Sequence, residues 1–273
     1  MMMCRLLRVS RGGYYAWLSR PECEREKQNN QYKTLIKTIH ADSKGIYGAP
    51  RICAEMRATG SCCSVNRVAK LMRQEGLKGL PKKRFRRSLQ DQPTFPFAKN
   101  ILKQEFTVPK PNQAWSSDIT YIQTRQGFVY LAVVMDLYSR KIVGWAMDSR
   151  MSRHLPIDAL NMAISMRKPK PGLIHHSDRG AQYNSDDYRN LLKRHGIQCS
   201  MSASGNCYDN SVVESFFGVL KREWIRKYKY VTRDEAKLEV FNYIECFYNR
   251  KRRHGYLGYV SPNEYEMTTL GIN

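Results

Sequence analysis

A chain of 273 residues, 42% of them hydrophobic, can build one good core or a core domain beside a smaller one. Its 46 lysines and arginines against 24 acids leave a charge of +22, which points to a polyanionic partner. No apolar run reaches membrane-spanning length and no signal-peptide pattern leads the chain, so a membrane role is not expected. The eight cysteines contain no C-x-x-C pair, which argues against a zinc finger or a disulfide scaffold and fits a reducing cytoplasm. Residues 1–110 carry 23 of the cations but 8 of the acids, so the front of the chain is the stronger anion-holding part.

The first hundred residues read as short helices. Ser10 caps one over Arg11 to Leu18. Asn29 to Ile39 reads as a second, with Leu35, Ile36 and Ile39 on one side. After the turn at Gly45 to Gly48, Pro50 opens a third that runs to Gly60. Ser64 caps a fourth, in which Val65, Val68 and Met72 line a face while Arg67, Lys70 and Arg73 face outward, and Gly76 stops it. Residues 1–80 therefore suggest a helix-turn-helix-like DNA-binding region, or a plain helical bundle with a basic surface. Residues 81–112 read as a basic, proline-containing linker. Its Lys82, Lys83, Arg84, Arg86 and Arg87 suit a phosphate track, with Phe85 able to stack, or form an ordinary exposed charge run.

From residue 113 the period changes to that of strands. Ala114 to Gln123, Gly127 to Asp136 and Lys141 to Met147 are joined by short links and predict an antiparallel meander. A helix over Leu155 to Met166, a strand over Gly172 to His176, a helix over Asp186 to His195 and a strand over Ile197 to Met201 follow. Long helices are expected over Asn210 to Tyr228 and Asp234 to Asn249. The fold class is α/β: a mixed five-stranded sheet with flanking helices over 113–273, preceded by a small all-helical domain.

Three acids stand out. Asp118 sits inside the first strand amid Trp115, Ile119 and Tyr121. Asp178 ends the fourth strand before Gly180. Glu214 opens an otherwise basic, aromatic-rich helix. Such a set suggests a divalent-metal site acting on phosphodiesters. Taken singly, Asp178 is also a common turn residue and Glu214 a common solvated one. Lys221 follows Glu214 by seven residues, two turns and roughly 10 Å along the helix, within reach of a phosphate. His175 and His176 are adjacent on a strand, face opposite ways, and make poor joint ligands.

The motifs carry a family likeness. Trp115-Ser116-Ser117-Asp118-Ile119-Thr120-Tyr121, His176-Ser177-Asp178-Arg179-Gly180-Ala181-Gln182-Tyr183 and Ser202 to Glu223 resemble the three carboxylate motifs of DDE transposases and retroviral integrases. The spacing of 35 residues between Asp178 and Glu214 matches, as does the cation at Lys221. The chain resembles the second-frame (OrfB) protein of a large bacterial insertion-sequence family whose transposase is a frameshifted fusion. Tyr47-Gly48-Ala49-Pro50-Arg51-Ile52, Tyr248 to His254 and Leu257 to Pro262 extend the resemblance to both ends. Departures are slight: Ser117 stands where threonine is common, and Ala203 where a basic residue is common.

The resemblance implies a ribonuclease H-like core that cleaves and joins DNA strands at insertion-sequence ends. Asp118, Asp178 and Glu214 would be both catalytic residues and ligands of two Mg²⁺ ions, with Mn²⁺ as substitute. DNA contacts are expected from Lys221, Arg222, Asn210 and the tail cluster Arg250, Lys251, Arg252 and Arg253. Expected partners are double-stranded DNA, the upstream-frame protein as a fusion, and further copies of the chain on DNA. A non-catalytic DNA-binding regulator and a ribonuclease H-like nuclease or resolvase are the alternatives.

Overall fold

The computed structural model describes residues 4, 6, 8–81, 98–203 and 209–271. The chain divides into two compact units between residues 82 and 83. The basic run Lys82, Lys83, Arg84, Arg86 and Arg87 lies outside the described residues.

The first unit holds α1 (Arg11–Leu18), α2 (Glu24–Asp42), α3 (Ala49–Ala58) and α4 (Val65–Gln74). Ser10 and Ser64 cap α1 and α4 as their sequence positions predict, each accepting from a first-turn amide. Ile36, Ile39, Ile52, Met56, Val68, Leu71 and Met72 close a small core, while α1 buries none of its residues. Gly79 lets two backbones meet, since a Cβ there would lie 2.5 Å from the Gly48 nitrogen. Lys70 and Arg73 are exposed as expected. Arg67 is not: Asn29 accepts from it at 3.0 and 2.9 Å, and Tyr32 underlies its guanidinium.

The second unit is built on a five-stranded sheet in the order β3-β2-β1-β4-β5. The strands are β1 (Ala114–Thr124), β2 (Gly127–Asp136), β3 (Ile142–Asp148), β4 (Ile174–Ser177) and β5 (Gln198–Met201). β1 to β3 form the antiparallel meander, and β4 and β5 join β1 in parallel. Between them run α5 (His154–Arg167) and α6 (Asp186–Arg194). These helices cover one face, packing Leu155, Ala159, Leu160, Leu191 and Leu192 on Trp115, Ala132 and Val134. Gly144 permits this contact, because a Cβ there would lie 2.2 Å from the Ala159 carbonyl oxygen.

α7 (Ser211–Glu223), α8 (Arg233–Phe241) and α9 (Pro262–Leu270) complete the unit. Val213, Phe216, Phe217, Leu220 and Trp224 of the α7 region are buried, and Phe216 and Trp224 meet an aromatic cluster of Tyr243, Phe247 and Tyr248. α7 ends five residues before the expected Tyr228, since Trp224 leaves helical geometry at ψ −63° with φ −131° and a 3₁₀ turn follows. Past Phe241 the winding loosens to a π-helix over Asn242–Tyr248, a mark of functional or strained segments.

Residues 98–112 depart from the linker reading. Leu102 is buried with Ala114 and Leu137, and the amides of Ile101 and Leu102 donate to Ser200 Oγ. Their lack of periodicity reflects irregular chain packed onto a sheet edge. No helix among the described residues is long and apolar enough to cross a membrane.

Candidate active site

The parallel pairing of β1 with β4 matches Ser117 to Ser177. Asp118, inside β1, and Asp178, one residue past the end of β4, are the next residues along the two chains, so they lie side by side where β4 ends. Each is pinned by its own backbone: the Ile119 amide donates to Asp118 Oδ1 at 2.8 Å, and the Gly180 amide to Asp178 Oδ1 at 2.9 Å. Arg179 donates to the Ser202 carbonyl at 2.7 Å and ties the Asp178 turn to the end of β5.

Glu214 is brought in by α7, and Asn210 sets where α7 begins. Its side chain accepts from Ser116 Oγ and donates to the Ser117 carbonyl at 3.0 Å. It is buried, and the Glu214 amide donates to its carbonyl at 3.2 Å. The start of α7 is thus held on β1, and the acid of its first turn, Glu214, comes close enough to feel the charge of the aspartates. Asn210, expected to position Glu214 or the DNA, has both ends of its amide committed to β1.

Asp209, the residue before Asn210, is buried and braced from two segments. It accepts from Ala203 N at 2.7 Å, Asn100 Nδ2 at 2.8 Å and Gln104 Nε2 at 2.9 Å. Asn100 and Gln104 are supporting residues that the sequence reading missed, because nothing in an aperiodic stretch marks its contacts.

The three acids repel one another in a partly dry setting. Burial, then Asp178 and Glu214, push the Asp118 carboxyl well above its ordinary range, against the Ile119 amide and Lys221. Burial raises Asp178, opposed by the Gly180 amide. Burial and then Asp178 raise Glu214. Lys221 is half-buried on the same helix, with its ammonium 4.8 Å from the Tyr121 ring centre. Burial and Arg226 lower its pKa, and Asp118 opposes them.

His175 and His176 belong to the sheet interior. His175 Nε2 sits 2.7 Å from Ser117 Oγ and 3.0 Å from the Tyr188 hydroxyl, and His176 Nδ1 is 2.9 Å from Ser200 Oγ. Among the described residues, no group of three His, Cys, Asp or Glu side chains stands close enough to hold a metal ion. The donor chemistry still fits one: three carboxylates at one edge supply hard oxygen ligands, and their mutual repulsion is what a divalent cation relieves.

The tail cluster separates into two kinds. Arg250 and Lys251 are exposed. Arg252 is 2% exposed and clasps Glu223 through Nε at 2.6 Å and Nη2 at 2.7 Å. Arg253 donates to Glu264 at 3.1 Å and to the Tyr259 carbonyl. These two arginines are parts of the fold, which corrects their expected DNA contact. Arg222 is half-buried, with Glu223 3.8 Å away.

Residues 108–207 match the family model described as integrase core domain, and 214–270 match a second model of that description. Residues 27–85 match an HTH-like domain. The chain is 44% identical over 270 residues to Transposase InsF for insertion sequence IS3A of Escherichia coli (strain K12), covering 98% of this chain and 94% of that one. It is 42% identical over 260 residues to the Insertion element IS600 uncharacterized 31 kDa protein of Shigella sonnei, covering 95% and 96%. Among solved structures, a chain of the simian T-cell lymphotropic virus intasome in complex with PP2A regulatory subunit B56 gamma aligns with a TM-score of 0.50 at 14% identity. That alignment covers 85% of this chain and 74% of that one, and is a likeness of fold.

Proposed function

The chain belongs to the IS3-type insertion-sequence transposases of the DDE and integrase-core superfamily, and from that premise we propose that Asp118, Asp178 and Glu214 catalyse DNA strand cleavage and strand transfer. The observation that carries this reading is the register of β1 on β4. It sets Asp118 beside Asp178, and Asn210 binds the start of α7 to β1 next to them. The three carboxylates are the residues that would hold Mg²⁺ or Mn²⁺. When bound, such ions supply Lewis-acid charge at the attacking and leaving oxygens.

In cleavage, a water oxygen forms a bond to phosphorus and the bond from phosphorus to the 3′-oxygen breaks. The water's proton goes to solvent and the leaving oxygen is protonated. In joining, the freed 3′-hydroxyl takes the place of water, so one phosphodiester is exchanged for another and no covalent protein intermediate is needed. The backbone amides of Ile119 and Gly180 orient the two aspartates, and Asn210 fixes the helix that carries Glu214. Lys221, two turns along α7, meets a phosphate beyond the reacting one. The basic composition supports double-stranded DNA as substrate. Assembly of several copies on DNA is part of the same proposal.

The test is strand transfer by the purified chain, alone and fused to its upstream frame, on labelled duplexes carrying element ends with Mg²⁺ or Mn²⁺. Glu214→Ala should abolish nicked and joined products while leaving DNA binding intact. Bound DNA without products in either wild-type form would replace this reading with that of a regulator.

A further inference from the structure

The flank of α7 away from Glu214 borders a cleft. It has a volume of about 260 Å³ and is lined by Arg140, Ser211, Val212, Ser215, His254 and Tyr256, among others. Ser211, Ser215 and Val219 form one stripe of α7 at four-residue intervals. The stripe of Glu214 and Lys221 lies on the other side of the buried face, by the turn of about 100° per residue. The cleft is thus distinct from the carboxylate edge, yet it shares the first turns of the same helix.

Arg140 is the unusual wall. It is 6% exposed, and no carboxylate pairs with it among the described residues. Its Nη1 has no hydrogen-bond partner, and its Nη2 donates to the Phe106 carbonyl at 3.1 Å. The Tyr256 ring lies 4.4 Å from the guanidinium, and its hydroxyl is 3.0 Å from Thr107 Oγ1. A buried arginine lacking a counter-charge is unfavourable unless an anion completes it.

α7 supplies the second half. Asn210 is turned to β1, so no side chain among the described residues caps the helix. Ser211 and Val212 of the first turn line the cleft, at the positive end of the helix dipole. Two serines, a helix N-terminus and a guanidinium with no carboxylate partner among the described residues are the donor types that a phosphate group uses.

We propose that this cleft binds a backbone phosphate of the DNA strand flanking the one under reaction, with Arg140 and the first turn of α7 as its donors. The proposal rests on the transposase reading for its choice of ligand. Phosphates of one strand recur about every 3.4 Å along the duplex, so neighbours of the reacting one reach this flank of α7. A free phosphate would use the same donors, and the experiment separates the two sources.

Thermal unfolding with about 20 mM inorganic phosphate, against chloride at matched ionic strength, reads the site directly. Duplex binding by anisotropy across a salt series reads the DNA strand. Wild type should gain about 2–4 °C in phosphate. Arg140→Gln should lose that gain. Ser211→Asp places a carboxylate at the first turn, where it supplies the missing anion. It should unfold later than wild type without phosphate and ignore added phosphate. Because it favours the helix, it keeps the test decisive if Arg140→Gln folds poorly. Both variants should lower the slope of log K against log salt by about 1.

An equal phosphate response in wild type and Ser211→Asp overturns the site. A lost response with an unchanged DNA slope overturns the DNA assignment and leaves a free-anion site. Glu214→Ala should retain both responses. If wild type shows both responses but transfers no strand, the catalytic reading fails and this one stands.

Discussion

Two sets of carboxylates lie in the same unit, one buried and one half-buried, and they are treated oppositely. Glu223 and Glu266 each face an arginine. Arg252 clasps Glu223, and Arg167 donates to Glu266 at 2.8 Å from both Nη atoms, with Nη2 also 3.0 Å from Asp136. Burial alone would raise Glu266, but the bonds and charge of Arg167 outweigh it and hold the carboxyl below its ordinary value. Asp136, which Arg167 serves with one bond, stays above its ordinary range through burial. At the β1–β4 edge, Asp118, Asp178 and Glu214 are all raised and have no ion pair among the described residues. A buried acid with an arginine is part of the structure. An acid facing other acids carries a repulsion that a cation would relieve.

The largest effect belongs to the unpaired set. Asp118→Asn, Asp178→Asn and Glu214→Gln should each reduce strand transfer at least about 10³-fold, since metal-held charge at phosphorus contributes several kcal/mol. The same measurement on Glu223→Gln, carried out below its unfolding temperature, should leave the chemistry in place. Equal losses in both sets would erase the distinction.

Stability should respond the other way. Arg252→Met takes from the buried Glu223 its two-bond partner, and should cost about 3–5 kcal/mol in urea unfolding. Arg252→Met with Glu223→Leu removes both charges and should recover most of that. If Arg252→Met instead weakened DNA binding with stability unchanged, the arginine would be a surface contact after all.

These arginines show where sequence reading stopped. Arg250 to Arg253 look alike as a run of cations, and nothing local tells which of them a fold will bury. The partner of Arg252 is Glu223, which lies 29 residues away at the end of α7. Periodicity served better: β2 has the expected bounds, and the serine caps of α1 and α4 were readable from side-chain chemistry alone. α9 was passed over, although Ser261, Pro262 and Glu264 form a capping box with proline at the first position. At the candidate site, the three acids were legible as motifs. The clamp by Asn210 and the brace of Asp209 by Asn100 and Gln104 were not, because they join segments about a hundred residues apart.

A smaller, pH-linked effect comes from the sheet interior beside the acids. Burial lowers His175 to about 3, with His176 adding to it, and lowers His176 to about 4 despite Asp209. Both are neutral in the folded chain, whereas the unfolded chain protonates them near 6.5. The unfolded state therefore binds more protons below pH 6.5, and stability falls as pH drops from there toward 4. Each histidine contributes a slope of about 1.4 kcal/mol per pH unit. Urea midpoints across this window should show a shallower slope in His175→Gln. An unchanged slope would mean that His175 is already solvated.

The smallest effect tests the comparison most directly. If the edge carboxylates are strained for want of a cation, then neutralising one should help the metal-free fold. Raised carboxyl pKa values mean that the folded chain holds protons more tightly than the unfolded one, so the penalty grows as pH rises through the ordinary carboxylate range and is complete above the raised values. At neutral pH without divalent ions, Asp118→Asn should raise the melting temperature by about 2–4 °C, while it abolishes transfer. Adding Mg²⁺ should raise the melting temperature of wild type and leave the variant nearly still. The paired set predicts the reverse: Glu266→Gln should lower the melting temperature and leave the Mg²⁺ response intact, because Arg167 already fills the place of the cation. A destabilised Asp118→Asn would mean that the Ile119 amide and Lys221 satisfy Asp118 without a metal, and that the two sets of acids do not differ in kind.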